Sequence, residues 1–164
     1  MARVLCRPVS VPGVPWSRQI RHNITPAFGD VYGIIGHKGF SDGYRLLLQE
    51  NTNRLQFALP APNGNALVST GVVGTGAWHH VVATYDPIRG RRIYVNGVYT
   101  GDADPAAGGT ISDWDDTFAF VLGNEVSGDR PFQGVFRLVA VYNRVLTDPQ
   151  IQTNFQAGVG EKFY

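Results

Sequence analysis

The chain has 164 residues, 43% hydrophobic and 12% aromatic, which suits one soluble globular domain with a core large enough to need no staples. A formal net charge of +1 excludes the basic field of a nucleic-acid binder, and no apolar run reaches membrane-spanning length. Cys6 stands alone, which excludes an internal disulfide and any cysteine-based metal cluster.

Taken in order, the chain reads almost entirely as strand. The run from Val4 to Val9 is short and extended, and its apolar part is cut by Arg7 and Pro8, too soon for a secretory leader. That places synthesis in the cytosol without a signal peptide, with a virion surface as one destination; an extracellular site follows only if the chain is cut from a longer precursor. Residues 11–29 carry several prolines and no clear period, so they read as a long irregular connection. The expected division is an N-terminal strand and Pro-rich arm over 1–29, followed by a sandwich over 30–164. Strands are expected at Val31 to Gly36, Gly43 to Gln49, Leu55 to Leu59, Ala66 to Thr70 and Trp78 to Tyr85. Ile93-Tyr94-Val95 and Val98-Tyr99-Thr100 flank Asn96-Gly97, the pair that readily takes positive φ, and so form a tight hairpin. The last strands are Phe118 to Leu122 and Gln133 to Tyr142, with Phe136 to Val141 apolar on both faces. One short helix follows: Thr147 is its cap, Pro149 is tolerated in its first turn, Ile151 and Phe155 share a face, and Gly158 ends it. Many short strands with turns between them make an all-β, two-sheet antiparallel sandwich with one short C-terminal helix.

Five segments then occur in a telling order. They are Gly76-Ala77-Trp78-His79-His80-Val81-Val82-Ala83-Thr84-Tyr85-Asp86, Arg92-Ile93-Tyr94-Val95-Asn96-Gly97, Leu122-Gly123, Pro131-Phe132-Gln133-Gly134 and Val141-Tyr142-Asn143-Arg144-Val145-Leu146-Thr147. This series resembles the laminin-G-like (LamG) branch of the concanavalin A-like lectin/glucanase superfamily, over about Val31 to Gly158. The resemblance implies a jelly roll of two curved antiparallel sheets, in domains that mostly bind glycans or proteins, often with calcium at one rim. Trp78 is expected to fill the space between the sheets, and Arg144 to tie the last strand to a carboxylate. The chain departs from the family's opening: Arg3 to Pro8 lacks the usual Trp, and the strand before it is missing. An open edge of that kind invites strand addition from another chain.

Catalytic signatures are lacking in the sequence. Sandwich glucanases carry acids at alternate positions of one strand, whereas Glu50, Glu125 and Glu161 have no carboxylate two residues away. His79 and His80 point to opposite faces of a strand and cannot share a metal, one packing beside the core and the other lying at the surface. The expectation is therefore no enzyme. From Asp102 to Asp116 there are five Asp and no Lys or Arg. Asp102, Asp104, Asp113, Trp114, Asp115 and Asp116 are the candidate ligand-binding residues, Trp114 able to stack on a sugar or anchor a protein. Asp102, Asp104, Asp113 and Asp115 are candidate calcium ligands, since hard cations need several oxygens. The bland alternative is a solvated loop with Trp114 folded back as a lid. Twelve of the 14 basic residues are Arg, the residue of planar bidentate contacts, and Arg3, Arg7, Arg18 and Arg21 with Trp16 are candidate assembly contacts. Two functions follow: a non-catalytic adhesion module recognising glycan or protein through rim loops, or a structural or decoration subunit of a larger assembly such as a phage or virus capsid, tail or fibre. The expected partners are thus a glycan or protein surface, with self-association or neighbouring subunits, and neither nucleic acid nor membrane insertion.

Overall fold

The structure is a computed structural model, and it describes residues 3–5, 16–24, 32–37, 44–48, 53–58, 66–74, 76–86, 88–104, 120–124, 132 and 134–158. In chain order the strands are β1 (Arg3–Leu5), β2 (Trp16–Ile24), β3 (Tyr32–His37), β4 (Tyr44–Leu48), β5 (Arg54–Ala58), β6 (Ala66–Val72), β7 (Trp78–Asp86), β8 (Gly90–Val95), β9 (Val98–Asp104), β10 (Phe120–Leu122) and β11 (Gly134–Tyr142). One helix, α1 (Asp148–Ala157), follows. A six-stranded sheet runs β1-β11-β2-β7-β8-β9 and a five-stranded sheet runs β10-β3-β4-β5-β6. The expected all-β sandwich with one C-terminal helix is what forms. Every pairing is antiparallel except β1 with β11, which is parallel.

The stretch expected to be irregular, residues 11–29, contains a nine-residue strand. β2 lies between β11 and β7 in the interior of the larger sheet, Ile20 opposite both Val139 and Val81. Its sequence, WSRQIRHNI, is mostly polar, so apolar alternation does not reveal it. Such a strand is held by ladder bonds on both edges, and tertiary context overrides its weak intrinsic preference.

β7 organises the core because it is buried on both faces from His80 to Tyr85. Val81, Ala83 and Tyr85 face the other sheet and pack with Leu55, Phe57, Val73, Ile93 and Val139. Val82, one residue out of phase, faces the other way and packs with Tyr94, Leu146 and Ile151. That second cluster is sealed by α1, which is too short to stand alone and takes its stability from this seat. Gln150 anchors the entry to the helix: its Oε1 accepts from Thr147 N–H at 3.0 Å and from Arg144 Nη1 at 3.0 Å. Arg144 therefore ties the strand end to a helix amide and not to the carboxylate expected.

The β8–β9 turn is where helix and sheet lock. Asn96 (φ 51°) and Gly97 (φ 81°) both take the left-handed conformation of a tight hairpin. Asn96 also clamps β7, donating its N–H to His80 O at 2.7 Å and accepting His80 N–H on Oδ1 at 3.0 Å. Phe155 lies against Gly97, stacks on His80 at 5.8 Å, and would be 2.9 Å from a Cβ at that glycine. Tyr94 O–H donates to Asp148 Oδ1 at 2.8 Å, pinning the hairpin to the first turn of α1.

Two outcomes follow for stability. Gly97→Ala combines an unfavourable positive φ with a clash against Phe155, and should lower unfolding free energy by about 1–3 kcal/mol in urea titration. Burial, reinforced by the bond to Asp148, pushes the Tyr94 hydroxyl up to about 12 from 10.0. The folded chain then holds this proton where the unfolded chain releases it, so stability is complete below about pH 10 and falls as pH rises toward about 12. Thermal melts across that window should show the fall, and Tyr94→Phe should flatten part of it.

Candidate functional site

The acidic end of β9 is built into the fold rather than held out on a loop. Arg91 is 0% exposed and its side chain lies between the sheets. Its Nη1 donates to Phe57 O in β5 at 3.1 Å, and its Nη2 pairs with Asp104 Oδ2. Asp102, 7% exposed, accepts the N–H of Thr70 on Oδ1 at 2.9 Å, joining edge strand β9 to edge strand β6 of the opposite sheet. Its Oδ2 is buried with no hydrogen-bond partner. The two aspartates thus fasten the sheets together along one seam. Of the four candidate calcium ligands, Asp104 is paired with a guanidinium and Asp102 accepts a backbone amide. Among the described residues, no three His, Cys, Asp or Glu side chains gather as a metal set. Asp113, Trp114, Asp115 and Asp116 lie outside the described residues.

The candidate assembly residues fall mostly in strands. Arg3 is in β1 opposite Leu138; Trp16, Arg18 and Arg21 are in β2 opposite Tyr85, Ala83 and His80; Arg7 lies outside the described residues. The two histidines divide as expected. His80 is buried beneath Phe155, and His79 donates from Nε2 to the Gly74 carbonyl at 2.7 Å near the surface.

Trp78 departs from expectation. It begins β7 with the parity of His80 and Val82, so it sits on the outer face of the six-stranded sheet, and it is 39% exposed. The apolar space between the sheets is filled instead by Phe57, Tyr85 and the stacked Phe132 and Phe136, whose ring centroids are 4.3 Å apart. The Arg137 guanidinium lies 4.0 Å from the Trp78 ring centroid. Arg137 stands at a bulge: the β11–β2 register shifts between Phe136 and Leu138, leaving Arg137 as the extra residue. Val135, 58% exposed, shares the row, since Val135 and Trp78 both lie opposite Asn23. Gly76 and Ala77, also exposed, complete a ledge of indole, guanidinium and valine. Arg91 pairs with Asp104, and Arg137 meets no carboxylate among the described residues. Sequence reasoning missed this ledge. The signal was Arg137 itself, a charge set inside an otherwise apolar run, which marks a bulge or an outward turn.

With this geometry in view, the laminin-G-like family model of the concanavalin A-like lectin/glucanases superfamily matches residues 20–152. The chain belongs to this family. A comparison with curated proteins gives no match. Among solved structures, this laminin-G-like chain is similar to a Bacteroides ovatus protein inferred to bind carbohydrate, with 26% identity and a TM-score of 0.67 over 88% of the chain. It spans 42% of that protein's length. The Ruminococcus gnavus IT-sialidase CBM40 shares the fold at 20% identity and a TM-score of 0.71, over 87% of this chain and 83% of that one. The heptameric SAP-like pentraxin of Limulus polyphemus does so at 15% identity and 0.61, over 90% and 73%. The laminin-G-like sandwich is thus the fold of carbohydrate-binding and lectin-like modules. None of its described helices is long and apolar enough to cross a membrane.

Removing Asp104 tests the seam. Asp104→Ala leaves the Arg91 guanidinium buried without its counter-charge and should cost about 3–5 kcal/mol in denaturant titration, against well under 1 kcal/mol for an exposed control such as Arg89→Ala.

Proposed function

We propose that this chain is a non-catalytic binding module that recognises glycan on an outer face of its sandwich. The observation that carries the reading is the ledge of Trp78 and Arg137: a partly exposed indole under an outward-facing cation on a lectin-type fold. A sugar ring presents an apolar C–H face that packs on indole, and hydroxyls that accept from a guanidinium edge. The neighbours support the same class. One is a Bacteroides ovatus protein inferred to bind carbohydrate, and another is a sialidase CBM40 solved with α2,3-sialyllactose. Asp102 and Asp104 being engaged between the sheets supports placing recognition at this ledge.

A broad printed panel of neutral and acidic glycans tests the reading. The wild-type chain should bind at least one class, and Trp78→Ala should weaken that binding about tenfold or more while leaving the melting temperature within a few degrees. Absence of binding across the panel, or hydrolysis of a polysaccharide by the purified chain, would overturn it.

A further inference from the structure

We infer that the Trp78–Arg137 ledge selects sugars that carry a carboxylate. This rests on the glycan-binding reading and goes further, because it names the chemical class of ligand. Three observations converge on it. First, Arg137 has no carboxylate partner among the described residues, and the ion pair of Arg91 with Asp104 lies elsewhere, between the sheets. An exposed guanidinium that pairs with no carboxylate among the described residues keeps its capacity for an acidic ligand with respect to them. Second, the guanidinium is held and not waving: it sits 4.0 Å from the Trp78 ring centroid, spanning β2 to reach a strand that β11 does not itself pair with. Stacking on an aromatic face fixes the guanidinium plane and leaves N–H edges directed outward, so less freedom is lost when a planar carboxylate docks bidentately. Third, apolar surface lies beside the charge. Val135 and the uncovered part of the indole provide a floor for the C–H face of the same sugar, which a free carboxylate or a simple anion would not use. Arg137 shares the strand parity of Val135, two residues before it, and stands as the extra residue of the bulge between Phe136 and Leu138.

Uronic acids and sialic acids share this chemistry, so titration calorimetry of the full chain should use both sources. The probes are trigalacturonic acid with its carboxyl-reduced counterpart, sialyllactose with lactose, and a sulfated oligosaccharide as the anion control. At least one carboxylate sugar should bind about tenfold or more tighter than its neutral counterpart and tighter than the sulfated sugar, with the preference shrinking as salt rises. Arg137→Gln should abolish the preference, bringing the carboxylate sugar down to the affinity of its neutral counterpart. Arg137→Lys, which keeps the charge and loses the fork, should restore only part of it. Equal binding of charged and neutral sugars, a sulfate preference, or an Arg137→Gln variant that still prefers carboxylates would each overturn the inference while leaving the glycan reading in place. If the panel of neutral and acidic glycans is bound nowhere, both fall. Arg137 is exposed, so an unchanged melting temperature for Arg137→Gln verifies that lost preference is not lost folding.

Discussion

A strand with apolar side chains on both faces must be covered twice, and β7 imposes that requirement on everything around it. Val81, Ala83 and Tyr85 need the five-stranded sheet on one side; Val82 needs something on the other, and the only described element available is α1 with Leu146. Burying such residues contributes about 1.5–3 kcal/mol each, far more than a ten-residue helix could gain from its own hydrogen bonds in water. The helix is therefore a consequence of the sheet. It also ends before the sheet does. Its last contacts reach His80 and Gly97 through Phe155, and Trp78, two positions before His80, is left uncovered. The outward ledge exists because the cover is shorter than the surface beneath it.

Much of this was legible in residues with local chemistry. Asn96-Gly97 dictated a hairpin with positive φ, and Thr147, Pro149 and Gly158 bracketed the helix, because each acts on its own backbone neighbours. The five laminin-G-like segments gave the sandwich. What stayed hidden depended on distant partners. β2 is polar in sequence and becomes a central strand through the edges of β7 and β11. Trp78 reads as core by size alone, and nothing in its neighbourhood says that the phenylalanines of β11 and its approach have already filled the interior. Asp102 and Asp104 read as loop acids, whereas Arg91 and the Thr70 amide, 13 and 32 residues away, draw them into the seam. Arg137 becomes informative only once strand pairing across β2 sets it beside an indole on another strand.

The seam has a further role in specifying the fold. A buried guanidinium and carboxylate contribute little net stability, since desolvation offsets most of their attraction, but either one alone inside the sandwich is strongly unfavourable. Any packing of the two sheets that slid β8 and β9 relative to β5 and β6 would separate Arg91 from Phe57 O and Asp102 from the Thr70 amide. Ser69 does similar work within the smaller sheet: it accepts Leu55 N–H at 2.9 Å and donates to Gly71 O at 2.7 Å, where the β5–β6 register slips.

The parallel contact of β1 with β11 carries a kinetic consequence. β3 to β6 follow one another as neighbours, and so do β7 to β9, so each group closes through short loops as it emerges during synthesis. β2 waits for β7, and Arg3 to Leu5 waits for Leu138 to Ala140 in β11, the last of the described strands in chain order. Closing such long loops is entropically slow. The first of the described strands is thus the last of them to find its place, and until it does, the edge of β11 that pairs with it stays open.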